Sequence, residues 1–249
     1  MRARLPLPLF AAVLCLPALA GLGCGSEEAL DPEPATEARA PAAAPTPDSA
    51  PAADKAVTVA ALGDSITAGS PLWDPDPAIR AQIGAALDET SQYEHWAAEA
   101  DAGLEFRNCG VFGERTDQIA QRLDECAAGA DALIVQGGIN DIAQGRPVAD
   151  AADDLRSMIQ RGQDLGLEVA IVDVLPWNNG RPFADEPIIE LNDLIAQIAA
   201  KEEVPLLPFH DTLVDPAEPA AMKPEWTDDG DHPSIEGYRR LGEIAFELP

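Results

Sequence analysis

Two short segments at opposite ends of the chain carry residue types capable of nucleophilic chemistry. Gly63-Asp64-Ser65-Ile66-Thr67 follows an apolar run, and Asp229-Gly230-Asp231-His232-Pro233 lies near the C-terminus. A serine hydroxyl is a weak nucleophile until a neighbouring base takes its proton, and a histidine base works best when a carboxylate orients it. Asp229, three residues before His232, is the carboxylate offered. Two further polar turns, around Gly113 and Asn140, lie between these segments. Taken singly, Ser65 also suits a helix cap and Asn140 a turn after a strand. Asp64 and Asp141 read as turn and loop stabilisers, and His95 beside Trp96 as a packed or surface residue. His210 with Asp211 is the one rival histidine–carboxylate pair.

The elements that must bring these residues together are short β-branched runs alternating with helical periods. Strands are expected at 57–62, 104–108, 132–135, 169–175 and 204–209, most of them apolar nearly throughout, as in parallel strands covered on both faces. Between them, Ile119, Leu123 and Cys126 share a face at helical spacing. So do Val148, Ala151, Leu155, Met158 and Ile159, and later Ile188, Leu191, Leu194, Ile195 and Ile198. Alternating β and α elements imply right-handed crossovers and a doubly wound sheet. The expected fold is one three-layer α/β/α domain over 55–249 with a mostly five-stranded parallel, flavodoxin-like sheet. In such sheets ligands sit outside the carboxyl ends of the strands, which is where Ser65, Gly113 and Asn140 fall. The stretch from Trp73 to Thr90, broken by Pro75 and Pro77, reads as a long loop with room for a short helix at the cleft rim.

The first 54 residues are of another kind. Residues 1–23 begin with Arg2 and Arg4, continue as an apolar run and contain no acid, the layout of a secretory signal. Ala18-Leu19-Ala20 resembles an ordinary cleavage site, whereas Gly21-Leu22-Gly23-Cys24 resembles the lipobox of bacterial lipoproteins, in which Cys24 is lipidated. The lipid-anchored form is the reading taken forward, with an exported, cell-envelope location. Residues 24–54, rich in Ala, Pro, Glu and Asp, cannot bury enough apolar surface to offset ordering entropy and read as a disordered tether.

All 44 acidic residues follow Gly23, against 14 of the 16 basic ones, so the chain beyond it carries a net charge of −30. Nucleic acids and anionic headgroups reward Lys and Arg, so neither is expected as the main partner. With Cys15 in the signal and Cys24 the lipidation candidate, Cys109 and Cys126 remain, either bridged or as two buried thiols. Three histidines at no ligand spacing give no zinc site, and neither metal nor cofactor is expected.

Taken together, the four segments resemble the blocks of the SGNH (GDSL) hydrolase family. Gly63-Asp64-Ser65 is similar to its first block, Asn108-Cys109-Gly110-Val111-Phe112-Gly113 to its second, Gly138-Ile139-Asn140-Asp141 to its third, and Asp229-Gly230-Asp231-His232-Pro233 to its fifth. The resemblance spans essentially the whole body. It implies that Ser65 attacks an acyl carbonyl, His232 takes and returns its proton, and Asp229 holds the imidazole tautomer. It implies further that the N–H groups of Ser65 and Gly113 and the side-chain amide of Asn140 bind the developing oxyanion. The implied activity is ester hydrolysis. Trp73, Val111-Phe112 and the loop carrying Trp177 are candidate substrate contacts, suited to an apolar acyl group or to stacking on a sugar ring. Short or acetyl esters of small neutral molecules or glycans are the favoured substrates. Lysophospholipid or thioester hydrolysis, and a carbohydrate-binding lipoprotein without turnover, are the alternatives.

Overall fold

A computed structural model describes residues 55–248. The signal segment, Cys24 and the tether lie outside the described residues.

Five parallel strands form the central sheet: β1 (Val57–Gly63), β2 (Leu104–Gly110), β3 (Ala132–Val135), β4 (Glu168–Val172) and β5 (Leu206–Leu207), in the order β2-β1-β3-β4-β5. This is the doubly wound, flavodoxin-like order expected from the alternation of elements. Side chains alternate between the faces, so β1 feeds two cores. Ala60 and Leu62 join the cluster built with the helices Leu123–Ala127, Val148–Asp164 and Asp185–Glu202. Val59 and Ala61 join the opposite cluster with Tyr93, Phe209 and Tyr238. Burial of Val59–Gly63 and of the whole of β3 on both faces explains their continuous apolar character. Edge strand β2 instead alternates, with Leu104 and Phe106 packed inward and Glu105 and Arg107 outward.

The helical faces form as the spacing predicts. Ala151, Leu155, Met158 and Ile159 are buried along one helix, and Ile188, Leu191, Ile195 and Ile198 along another. Ile119, Leu123 and Cys126 are also buried on one side, although a 3-10 turn at Ala120–Arg122 splits that segment in two.

Two strands are shorter than their apolar runs. β5 is confined to Leu206–Leu207 because it lies between Pro205 and Pro208, neither of which has an N–H for the ladder. β4 stops at Val172. Beyond it the Val174 N–H donates to the Asn192 side chain (2.7 Å), whose amide returns a bond to the Val174 carbonyl (2.9 Å), so the chain past β4 is bonded to the helix Asp185–Glu202 instead of to a neighbouring strand.

The 73–90 stretch holds the helix Pro77–Ile83, started by Pro77 at its first position and by the Asp76 side chain accepting from the Ala78 N–H. Cys109, at the end of β2, and Cys126 form a disulfide with their Cα atoms 6.1 Å apart. Of the two alternatives open in the sequence, the structure shows the bridge.

Candidate active site

Gly63 ends β1, and the chain turns at once into the short helix Ser65–Ala68. Asp64 caps that helix, its Oδ1 accepting from the Ile66 N–H at 2.9 Å. Gln136, just past β3, ties the turn to the next strand, its Oε1 accepting from the Asp64 N–H (3.1 Å) and the Thr67 hydroxyl (2.9 Å). Ser65 is therefore the first residue of a helix, where the N–H has no acceptor within the helix and points outward from the strand end.

The Ser65 hydroxyl lies 3.1 Å from His232 Nε2, and His232 Nδ1 lies 2.8 Å from Asp229 Oδ2. Asp229 also accepts the N–H groups of Asp231 (2.8 Å) and His232 (2.7 Å) on Oδ1, which locks the loop around the histidine. Burial pushes the Asp229 carboxyl up, but the bonds from the His232 ring and from these N–H groups outweigh it and hold it below the ordinary carboxylate value. A hydroxyl, an imidazole and an ionised carboxylate in that order form a relay through which a proton can leave a nucleophile.

The neighbouring donors come from β2 and β3. Gly113 has φ of +79°, and no protein atom lies within 4 Å of where a Cβ would stand. Its requirement for glycine is thus the left-handed backbone, which turns the peptide N–H, rather than a shortage of room. Gln144 Nε2 fixes the Gly113 carbonyl at 3.1 Å. Asn140 is the second residue of the helix Ile139–Ala143. Its amide nitrogen donates to the Glu114 carbonyl (3.0 Å) and approaches Asp64 Oδ2 at 3.4 Å. Both hydrogens of the Asn140 amide are thus directed at protein acceptors. Service to an oxyanion requires the longer contact, to Asp64, to yield.

Beneath these groups, Arg122 joins three segments. It donates to the Cys109 carbonyl (2.6 Å) and the Gly63 carbonyl (3.1 Å), and through Nε and Nη2 to the Glu114 carboxylate (2.9 and 2.7 Å). The planar fork of a guanidinium suits this multidentate role. Asp141 behaves as the loop stabiliser the sequence suggests, accepting from Thr116 N–H (2.9 Å), Thr116 hydroxyl (3.0 Å) and Arg146 (2.6 Å). Asp64 does more than stabilise a turn. It is fully buried, burial lifts its carboxyl to about 6, and it stands next to Asn140.

A cleft of about 120 Å³ opens beside Ser65 and His232. Phe112 and Trp177 line it as expected, together with Ile139, Val174, Leu175 and Phe209. The Phe112 ring, 61% exposed, lies 5.9 Å from the His232 ring. Trp177 is fixed by its Nε1–H to Asp231 at 2.6 Å. Trp73 is not among the lining residues. It packs under the Arg80 guanidinium, 4.8 Å from its ring centroid, because the helix Pro77–Ile83 folds back over it. Val111 faces a separate groove with Asp74 and Arg122. His210 and His95 are also absent from the cleft wall. His210 lies by Pro176 and Ile188, and His95 stacks edge-on against Trp96.

Asp173 is a lining residue that the sequence pattern conceals. It sits inside the run Val169–Leu175, where it looks like an interruption of a strand. A lone acid at the carboxyl end of an apolar strand was the available signal.

This arrangement matches a known family. The family model for GDSL-like lipases and acylhydrolases matches residues 61–240, and the chain belongs to that family, whose hydrolases act on ester bonds. A lipolytic protein of the G-D-S-L family from Desulfitobacterium hafniense is similar in structure at 19% identity (TM-score 0.62, 75% of this chain and 96% of that one). A GDSL-like lipase from Bacteroides thetaiotaomicron shares 22% identity (TM-score 0.59, 78% and 88%). A lipase/acylhydrolase from Enterococcus faecalis shares 21% (TM-score 0.58, 75% and 91%). At these identities the likeness establishes the fold. No curated protein matches the chain by sequence.

Burial raises the carboxyls of Asp64 to about 6 and Asp173 to about 7, so the folded protein holds these protons more tightly than the unfolded chain. Their contribution to stability is complete below about pH 4 and is lost as pH rises through those values. Asp173→Asn removes one of them. Its unfolding free energy should gain on the wild type between pH 4 and pH 8, by at most about 4 kcal/mol, since each tenfold change in proton affinity is worth roughly 1.4 kcal/mol. Urea denaturation at both pH values checks this, and a pH-independent difference would contradict it.

Proposed function

We propose that the protein is an exported serine esterase that hydrolyses short carboxylic esters through an acyl-enzyme on Ser65. The observation carrying this reading is the 3.1 Å approach of the Ser65 hydroxyl to His232 Nε2, across 167 residues of sequence, with Asp229 behind the imidazole. In the proposed reaction the Ser65 oxygen attacks the ester carbonyl while His232 takes its proton. The imidazolium gives that proton to the departing alkoxide, and water repeats the sequence on the acyl-enzyme. Asp229 holds the imidazole so that Nε2 faces the serine. The Ser65 and Gly113 N–H groups and the Asn140 amide receive the negative charge that develops on the carbonyl oxygen.

The size of the cleft supports a short acyl group. At about 120 Å³ it is smaller than the ~150 Å³ apolar cavities that accept benzene. A long lipid chain would have to lie largely outside it. The charge of −30 beyond Gly23 also favours neutral substrates, small esters or acetylated glycans, over anionic bilayers. Export is supported by the Cys109–Cys126 bridge, since disulfides persist in oxidising compartments. The Cys24 lipobox adds attachment to the cell envelope.

A fluorophosphonate probe should label the purified protein at Ser65, and Ser65→Ala should abolish labelling. A correctly folded protein that resists the probe would remove the serine mechanism. Asn140→Ala should lower kcat about 100- to 1000-fold with its folding transition little changed, and unchanged turnover would exclude its amide from the oxyanion site. Cys24→Ser should move the protein from the membrane fraction to the soluble one. Membrane retention after that change would argue against a lipid anchor at this residue.

A further inference from the structure

The cleft beside Ser65 contains two acids that the acyl-transfer chemistry leaves unused, Asp173 and Asp231. Leu62, Val135 and Ile171 are level across β1, β3 and β4, so the carboxyl ends of β1 and β4, from which Ser65 and Asp173 follow, lie along the same edge of the sheet. Two strand spacings separate them, about 10 Å. Asp173 lines the same cleft as Ser65, with Val174, Leu175 and Phe209 as apolar neighbours in the wall.

The other acid on the wall, Asp231, is committed to Trp177 Nε1 (2.6 Å) and Asn179 Nδ2 (2.8 Å). Asp173 uses Oδ1 to accept the His210 N–H at 2.7 Å. The N–H groups of Phe209 and of Asp173 itself also bear on the carboxyl, but a carboxyl offers about four lone-pair positions, so it retains room for one further partner from the cleft. The charged neighbour that bears on it is Asp211, of like sign, and together with burial this keeps the group near the point where it holds its own proton. Such a carboxyl pairs with a hydroxyl in either state, as acceptor when ionised and as donor when protonated. An apolar ligand end would leave it unpaired and desolvated, at a cost.

The Phe112 ring is exposed at one margin of the cleft, and the departing alcohol is assigned to that side. The walled end over β3 and β4 is left for the acyl group. Once the reach of the two side chains is subtracted from ~10 Å, roughly the third or fourth carbon of an acyl chain held at Ser65 comes level with Asp173.

We propose that Asp173 is a specificity-determining residue that receives a hydroxyl on the acyl chain, so that the protein prefers esters of short 3-hydroxy acids to those of the plain acids of equal length. The proposal rests on the esterase reading given above. A site built to pair a hydroxyl rejects the analogue lacking it far more strongly than an apolar pocket rejects a missing methylene.

The test is the ratio of kcat/KM for methyl 3-hydroxybutyrate to that for methyl butyrate, followed by proton release. Measuring both esters on the same protein cancels any general loss of activity. The wild-type ratio should be about 10 or more. Asp173→Val should bring it below one. Asp173→Asn, which keeps an acceptor for the His210 N–H and so protects the fold, should lower it several-fold. A wild-type ratio near one, or a ratio unmoved by both substitutions, would overturn the proposal while the esterase reading stands. Failure to hydrolyse either of these esters or p-nitrophenyl acetate would overturn both.

Discussion

All five strands of the sheet run in one direction, and every candidate site group depends on that constraint. A parallel sheet satisfies its backbone donors and acceptors internally and places all its carboxyl ends on one edge. Residues remote in sequence thus meet without any long excursion of the chain. Ser65 leaves β1, Gly113 follows β2, Asn140 follows β3 and Asp173 follows β4. His232 comes from the loop before the helix Ile235–Arg240, which packs through Tyr238 on the face of the sheet that Val59, Ile134 and Val172 share. The Tyr238 hydroxyl donates to the Ser70 carbonyl at 2.9 Å, so the element that follows the histidine is tied to the segment that follows the serine.

Convergence at a sheet edge gives proximity, but chemistry needs orientation to within a fraction of an ångström. Here orientation is supplied by polar groups under the surface. Asp64 and Gln136 lock the turn that presents Ser65, and Arg122 binds that turn to the loop of Gly113 through Gly63 and Glu114. The Cys109–Cys126 bridge fastens the same region covalently. Burying Asp64 without a cationic partner is costly, and its carboxyl responds by moving up to about 6. Such a cost is tolerated where it fixes a site, and the hydrophobic layers on both faces of the sheet offset it.

Much of this was legible in the sequence, for physical reasons. Runs such as Val57–Leu62 and Ala132–Val135 could only be strands covered on both faces, and Leu155, Met158 and Ile159 could only be one face of a helix. The four polar blocks stood out because Gly, Asp, Asn and His interrupt apolar elements at their ends. What escaped were features set by tertiary contacts. Trp73 looked like a cleft aromatic, yet the distance from Trp73 to Arg80 along the chain says nothing of the helix folding back over it. Asp173 passed unnoticed inside the run 169–175, since its acid interrupts that run but does not by itself show that β4 ends at Val172 and leaves the carboxyl in the cleft wall. The double commitment of the Asn140 amide to Glu114 and Asp64 depends on three strand ends at once. The pairing of Cys109 with Cys126 likewise depended on the turn at Ala120–Arg122.

The central claim is that the aligned serine, histidine and aspartate make Ser65 a transient acyl carrier. Rapid acid quenching of the protein during turnover of p-nitrophenyl acetate, followed by mass mapping of its peptides, tests this most directly. The peptide containing Ser65 should gain the mass of one acetyl group, and in the His232→Ala protein, acylated with a more reactive ester, that gain should persist. Full turnover with no acylated Ser65 peptide at any quench time, or an acetyl group found on another residue, would contradict it.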